Sequence, residues 1–138
     1  MNPFEQYSKH PIRSASVLTG AYVSGNILSP IDGVNLPAVS PSRYNQMIIL
    51  ADFTIGSLTD AQIKIEFSPD GITYYQETAD SSPSSGVVTE TVIVRKLTAT
   101  GKYRIAVPIK DNYIKISVIG TGTVTSSTIT LDAVLGTV

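Results

Sequence analysis

Alternation of apolar and polar side chains runs through this chain, nowhere more cleanly than in residues 60–78, DAQIKIEFSPDGITYYQET. Ile63, Ile65 and Phe67 alternate with Gln62, Lys64 and Glu66. An extended strand sends successive side chains to opposite faces, so this segment can bury one face and wet the other; a helix would scatter the same residues around its axis. Ser68-Pro69-Asp70-Gly71 then reads as a hairpin turn. Proline presets φ at the first corner, aspartate suits the second, and glycine accepts the left-handed backbone that a G1-type bulge requires. Ile72, Tyr74 and Gln76 alternate with Thr73, Tyr75 and Glu77 on the expected return strand, which puts Ile72 and Tyr74 on the core face.

The rest of the chain repeats this grammar. Residues 14–24 read as a strand with Gly20 at a bend, and residues 25–42 are so punctuated by Pro30, Asp32-Gly33, Pro37 and Pro41 that a long ordered loop is expected. Residues 43–55 contain Met47-Ile48-Ile49-Leu50, a run that suits a strand covered on both faces, although Tyr44, Met47, Ile48 and Ala51 also fit a helix opening at Ser42. Residues 79–86 read as a polar connection, expected to form an exposed loop tip. Beyond it, 87–97, 101–109, 113–118 and 123–135 read as strands, with turns expected at Asp111-Asn112 and Gly120-Thr121-Gly122, and with Pro108 at a sheet edge or strand end. Roughly seven or eight strands result, and the expected fold is all-β: a single sandwich of mainly antiparallel strands over residues 15–138, jelly-roll-like or Greek-key, with a closed barrel as the alternative.

Residues 1–14 hold Pro3 and Pro11, which disfavour a helix, so an extended N-terminal arm is expected there. Charges interrupt it at Glu5, Lys9 and Arg13, which fits neither a signal peptide nor a membrane span and leads to the expectation of synthesis and first residence in the cytoplasm. With 138 residues the chain can bury roughly two-thirds of its unfolded surface without a metal or a disulfide. There are 10 Lys and Arg against 11 Asp and Glu, so no basic field exists to hold nucleic acid or an anionic membrane. Only 15% of the residues are charged, and a surface so sparing of charge suits coverage by other protein. The segments suited to such contact are the arm, through Phe4 and Tyr7, and the apolar loop, through Ile27, Leu28, Ile31, Val34 and Leu36.

Chemistry-bearing constellations are sparse. Cysteine is absent, which removes thiol catalysis and zinc–thiolate sites together. His10 is the single histidine and stands between Lys9 and Pro11, where an ordinary exposed role is expected. Glu66, Glu77 and Glu90 fall on alternating positions and read as solvent-facing charge rather than a glycosidase pair. Asp70, Asp80, Asp111 and Asp132 are isolated in or near turns, unlike the clustered ligands of a calcium loop. No catalytic, cofactor-binding or metal-ligating residue is assigned. Tyr75 and Tyr113 are expected on outward faces, where they could stack on a sugar, while Tyr74 and Tyr103 are expected in the core.

Two resemblances remain. Ser68-Pro69-Asp70-Gly71-Ile72-Thr73-Tyr74 is similar to the Asp-box hairpin of sialidase-like propellers, but it lacks a residue between aspartate and glycine, has tyrosine in place of tryptophan and occurs once, so only a tight hairpin carries over. The same hairpin, followed by YRIAVPI and a Gly/Thr-rich last strand, resembles small all-β virion proteins of tailed bacteriophages across residues 47–138. That resemblance implies a non-enzymatic virion protein, of the capsid-decoration or head-tail accessory type. Its implied partners are copies of itself, as trimers, and the major capsid protein. The alternative is a carbohydrate-binding or adhesin module.

Overall fold

The structure, a computed structural model, describes residues 9–28, 45–81, 83 and 85–136. Among these the strands are β1 (His10–Val17), β2 (Val23–Ser24), β3 (Gln46–Thr54), β4 (Leu58–Ser68), β5 (Tyr75–Gln76), β6 (Thr78–Asp80), β7 (Glu90–Val92), β8 (Val94–Leu97), β9 (Gly101–Pro108), β10 (Tyr113–Gly122) and β11 (Thr128–Gly136). No helix occurs among the described residues. The helical alternative for residues 43–55 is overturned, since Met47, Ile48 and Ile49 lie buried along β3.

Two antiparallel sheets pack face to face as an all-β sandwich. One runs β1-β11-β3-β9; the other runs β2-β10-β4, with β5 and β8 sharing the far edge of β4. β6 and β7 form a separate two-stranded ribbon. The chain crosses between sheets at nearly every connection, and its first and last strands pair with each other. Alternation sets the register. β3 and β11 place Met47 opposite Leu135, Ile49 opposite Ala133, Ala51 opposite Leu131 and Phe53 opposite Ile129. In the facing sheet, Ile63 meets Val118, Ile65 meets Ile116 and Phe67 meets Ile114. These pairs are buried and belong to one core cluster, so a slip of one residue in either ladder would turn an entire apolar row out to water. Each of these side chains other than the two alanines contributes about 1.5–3 kcal/mol of burial.

Four expectations are corrected. His10 begins β1, so residues from His10 onward, expected in the arm, belong to the sheet, and His10 itself is half-buried with its pKa lowered by burial. Pro11 is tolerated because β1 is an edge strand. The return strand of the first hairpin is only Tyr75–Gln76, pairing with Phe67 and Glu66, so Ile72 falls in a wide loop at 83% exposure instead of in the core. Gly120-Thr121-Gly122 continues β10 rather than turning; at Gly120 a Cβ would lie 2.9 Å from Leu58 Cδ2, so close packing selects that glycine. Pro108, in contrast, ends an edge strand, as its missing N–H requires.

Candidate interaction surface

β4 is long, and no single strand covers its outer edge. β8 pairs with residues 61–64 and β5 with residues 66–67. Between these contacts the chain leaves the sheet at Glu77, whose N–H donates to Ile65 O at 3.3 Å, and returns at Ile93, whose N–H donates to Glu77 O at 2.8 Å. β6 and β7 project from this root. Arg95 fixes it, donating from Nη1 to Glu77 Oε1 at 2.7 Å and from Nη2 to Oε2 at 3.2 Å, a two-pronged pairing that specifies geometry as well as charge. Glu77 is 4% exposed, so its expected solvent-facing role is overturned. Periodicity hides this pair because Glu77 lies between β5 and β6 and Arg95 on β8, with the whole ribbon between them.

Along the ribbon, Thr78 pairs with Val92, Ala79 with Thr91 and Asp80 with Glu90. Alternation places Thr78, Asp80, Glu90 and Val92 on one face, and the Thr78 hydroxyl donates to Glu90 Oε1 at 2.7 Å. Asp80 thus stands opposite Glu90, an arrangement of like charges that costs stability in isolation. Most exposed large apolar side chains of the described residues fall between the end of β4 and the start of β8: Ile72, Tyr75, Val87, Val88, Val92 and Val94. The others, Val17, Tyr22 and Val23, flank the β1–β2 connection.

The loop before β5 is organised by two side chains. Ser68 Oγ accepts from the Gly71 N–H at 2.8 Å and donates to Asp70 Oδ1 at 3.0 Å; Asp70 Oδ1 accepts from the N–H groups of Ile72 at 2.8 Å and Thr73 at 3.1 Å. Gly71, at φ 76°, lets the Tyr113 ring approach, since a Cβ there would lie 2.7 Å from that ring. The Ile72 N–H, then the Thr73 N–H and the Ser68 hydroxyl, hold the Asp70 carboxyl below its usual 3.8. A depressed carboxyl favours the ordered loop above the ordinary pKa and stops doing so as pH falls through the native one. Amide hydrogen exchange at Ile72 and Thr73, corrected for intrinsic rates, should therefore show protection that is constant down to about pH 5 and lost in stronger acid. Asp70→Ala should remove it at every pH; retained protection in that variant would show that the carboxylate does not organise the loop.

The residues singled out from the sequence scatter. Phe4, Tyr7, Ile31, Val34 and Leu36 lie outside the described residues. Ile27 is half-buried. Leu28 is corrected: it is buried in the chain's own core and bridges Ile114, so it is not available to a neighbour. Tyr75 is 60% exposed, whereas Tyr113 is half-buried over Gly71. Tyr74 is not a core residue; its ring carries Lys115 Nζ at 4.2 Å from the centroid. Tyr103 packs against the core and donates its hydroxyl to Ala99 O.

A depression of about 340 Å³ lies on the outer face of the first sheet, with Lys9, Asp52, Lys102, Arg104, Thr130 and Asp132 in its lining. Lys102 Nζ is 3.1 Å from Asp52 Oδ2 in an exposed pair. No histidine lines it, and among the described residues no group of three or more His, Cys, Asp or Glu could hold a metal ion. No family model, no curated protein and no solved structure matches the chain. The ribbon and its tip bring exposed Val87, Val88 and Val92 together with Asp80 and Glu90.

Proposed function

We propose that this protein is a non-enzymatic structural protein of a virion, of the capsid-decoration or head-tail accessory type, that works by assembling with itself into trimers and with the major capsid protein. The observation that carries this reading is the ribbon: the core is closed without it, yet the chain commits β6 and β7 to a projection bearing exposed Val87, Val88 and Val92. An exposed apolar projection of this kind lowers its free energy by being covered. The strand order supports it. With β1, β2, β3, β4, β8, β9, β10 and β11 as principal strands, one sheet takes the first, last, third and sixth and the other the second, seventh, fourth and fifth, which we read as a jelly roll, an architecture used by capsid proteins and lectins. A formal net charge of -1 leaves no role for nucleic acid or membrane in this proposal.

Light scattering behind a sizing column should give a defined oligomer, and the oligomer should add to capsids and raise their resistance to heat. A monomer at all concentrations that ignores capsids would overturn the reading. Tyr75, exposed on β5, favours a second reading as a glycan-binding or adhesin module. Glycan binding lost on Tyr75→Ala would establish that one instead.

A further inference from the structure

The ribbon's partner can be read from its backbone and its charge. In the β3–β9 ladder the Ile109 N–H donates to Asn45 O, which continues the register pairing Val107 with Met47 and Ile105 with Ile49. The odd-numbered residues of β9 therefore point their backbone groups at β3, and Lys102, Arg104 and Ala106 point theirs outward, where no strand among the described residues pairs with them. In the ribbon, the Ser81 N–H donates to Thr89 O and the Ile93 N–H to Glu77 O, so Val88, Glu90 and Val92 likewise point their backbone groups outward. Two edges left unpaired among the described residues, with the same parity, can form an antiparallel ladder, and in such a ladder the side chains of facing residues share one side of the sheet.

Charge chooses between possible partners. Residues 77–93 contain Glu77, Asp80 and Glu90 and no Lys or Arg; residues 101–110 contain Lys102, Arg104 and Lys110 and no Asp or Glu. Lysine, arginine and the terminal Pro108 keep the β9 edge from pairing indiscriminately, and an acidic strand is the one partner those charges favour. Among the described residues Arg104 has no ion pair, while Glu90 faces Asp80 across the ribbon.

We propose that β7 of one copy adds to the β9 edge of another, antiparallel, with Glu90 opposite Arg104, Val92 beside the Lys102 stem and Val88 opposite Ala106. This deepens the assembly reading and rests on it. The first sheet then continues through β9 into the neighbour's β7 and β6, and Arg104 neutralises the carboxylate opposition at Asp80 and Glu90. The contact is head-to-tail, since ribbon and edge are different surfaces of the same chain, so it closes into a ring when the rotation between copies divides a full turn.

Charge reversal tests it in the full chain. Glu90→Arg and Arg104→Glu should each raise the dissociation constant of the oligomer at least about tenfold, read by light scattering across a dilution series. The double variant, Glu90→Arg with Arg104→Glu, should bring it back toward wild type. Each side chain is exposed, so circular dichroism should show all three variants folded. An oligomer indifferent to both single reversals, or a double variant no better than the singles, would overturn this docking and leave the assembly reading standing; a wild-type chain that is monomeric throughout would overturn both.

Discussion

Phe53→Ala should lower the free energy of unfolding by about 4 kcal/mol, the largest effect expected of any single truncation in this chain. Phe53 is fully buried on the inner face of β3, between Ile129 of β11 and Gly101 of β9. Gly101 brings no side chain to that row, so the ring fills space that no neighbour in the sheet can reach across to occupy. Removing it forfeits the transfer free energy of the ring and leaves a cavity that two well-registered ladders cannot collapse to fill. Phe53→Leu keeps most of the volume and should cost less than half as much. Urea denaturation monitored by tyrosine fluorescence measures both. A loss below about 1.5 kcal/mol for Phe53→Ala would mean that the two sheets close over the gap, and that this end of the sandwich is far more compliant than its packing indicates.

Arg95→Ala comes next, with an expected loss of about 3 kcal/mol. The arginine is not worth that much as an attraction. Glu77 has 3% side-chain exposure against 22% for Arg95, so truncating the arginine leaves a carboxylate inside the protein without its counter-charge. Replacing both, as Glu77→Gln with Arg95→Met, should cost less than the single change, because no charge is then left buried. The ribbon should report the same event. Its β6–β7 amides lie beyond the paired residues, so Arg95→Ala should speed their exchange more than that of β4 or β10. If Arg95→Ala unfolds within about 0.5 kcal/mol of wild type, water reaches Glu77 and the root is not held by this pair. In an oligomer built through the ribbon, the same variant should also weaken association, since a root that swings cannot present β7 in register.

The sandwich was legible from the order of the residues, and for a simple reason: burying one face of an extended strand writes a period of two into the sequence. Ile63-Lys64-Ile65-Glu66-Phe67 carries that mark, as do the alternating residues of β9 and β11. The place of Pro108 at a strand end on a sheet edge is likewise readable, because the missing N–H is a local property. The hairpin after Phe67 was half readable. Ser68, Asp70 and Gly71 do organise a reversal, but Asp70 gathers the Ile72 and Thr73 amides into a wider loop than a tight turn, and that moved Ile72 from the expected core to open exposure. The burial of Glu77 is hidden for a related reason. Alternation places it among solvent-facing positions, and its partner Arg95 lies 18 residues further along the chain.

Strand identity and inner faces therefore belong to the linear chain, since each depends on neighbours two residues apart. The burial of Glu77, the division of the β4 edge between β5 and β8, and the departure of the ribbon from the sheet depend on segments far apart in sequence meeting in space. Which backbone edges stay unpaired is a property of the closed fold alone: every strand carries donors and acceptors on both sides, and only the completed order of strands leaves β9 and β7, among the described residues, with a side to spare.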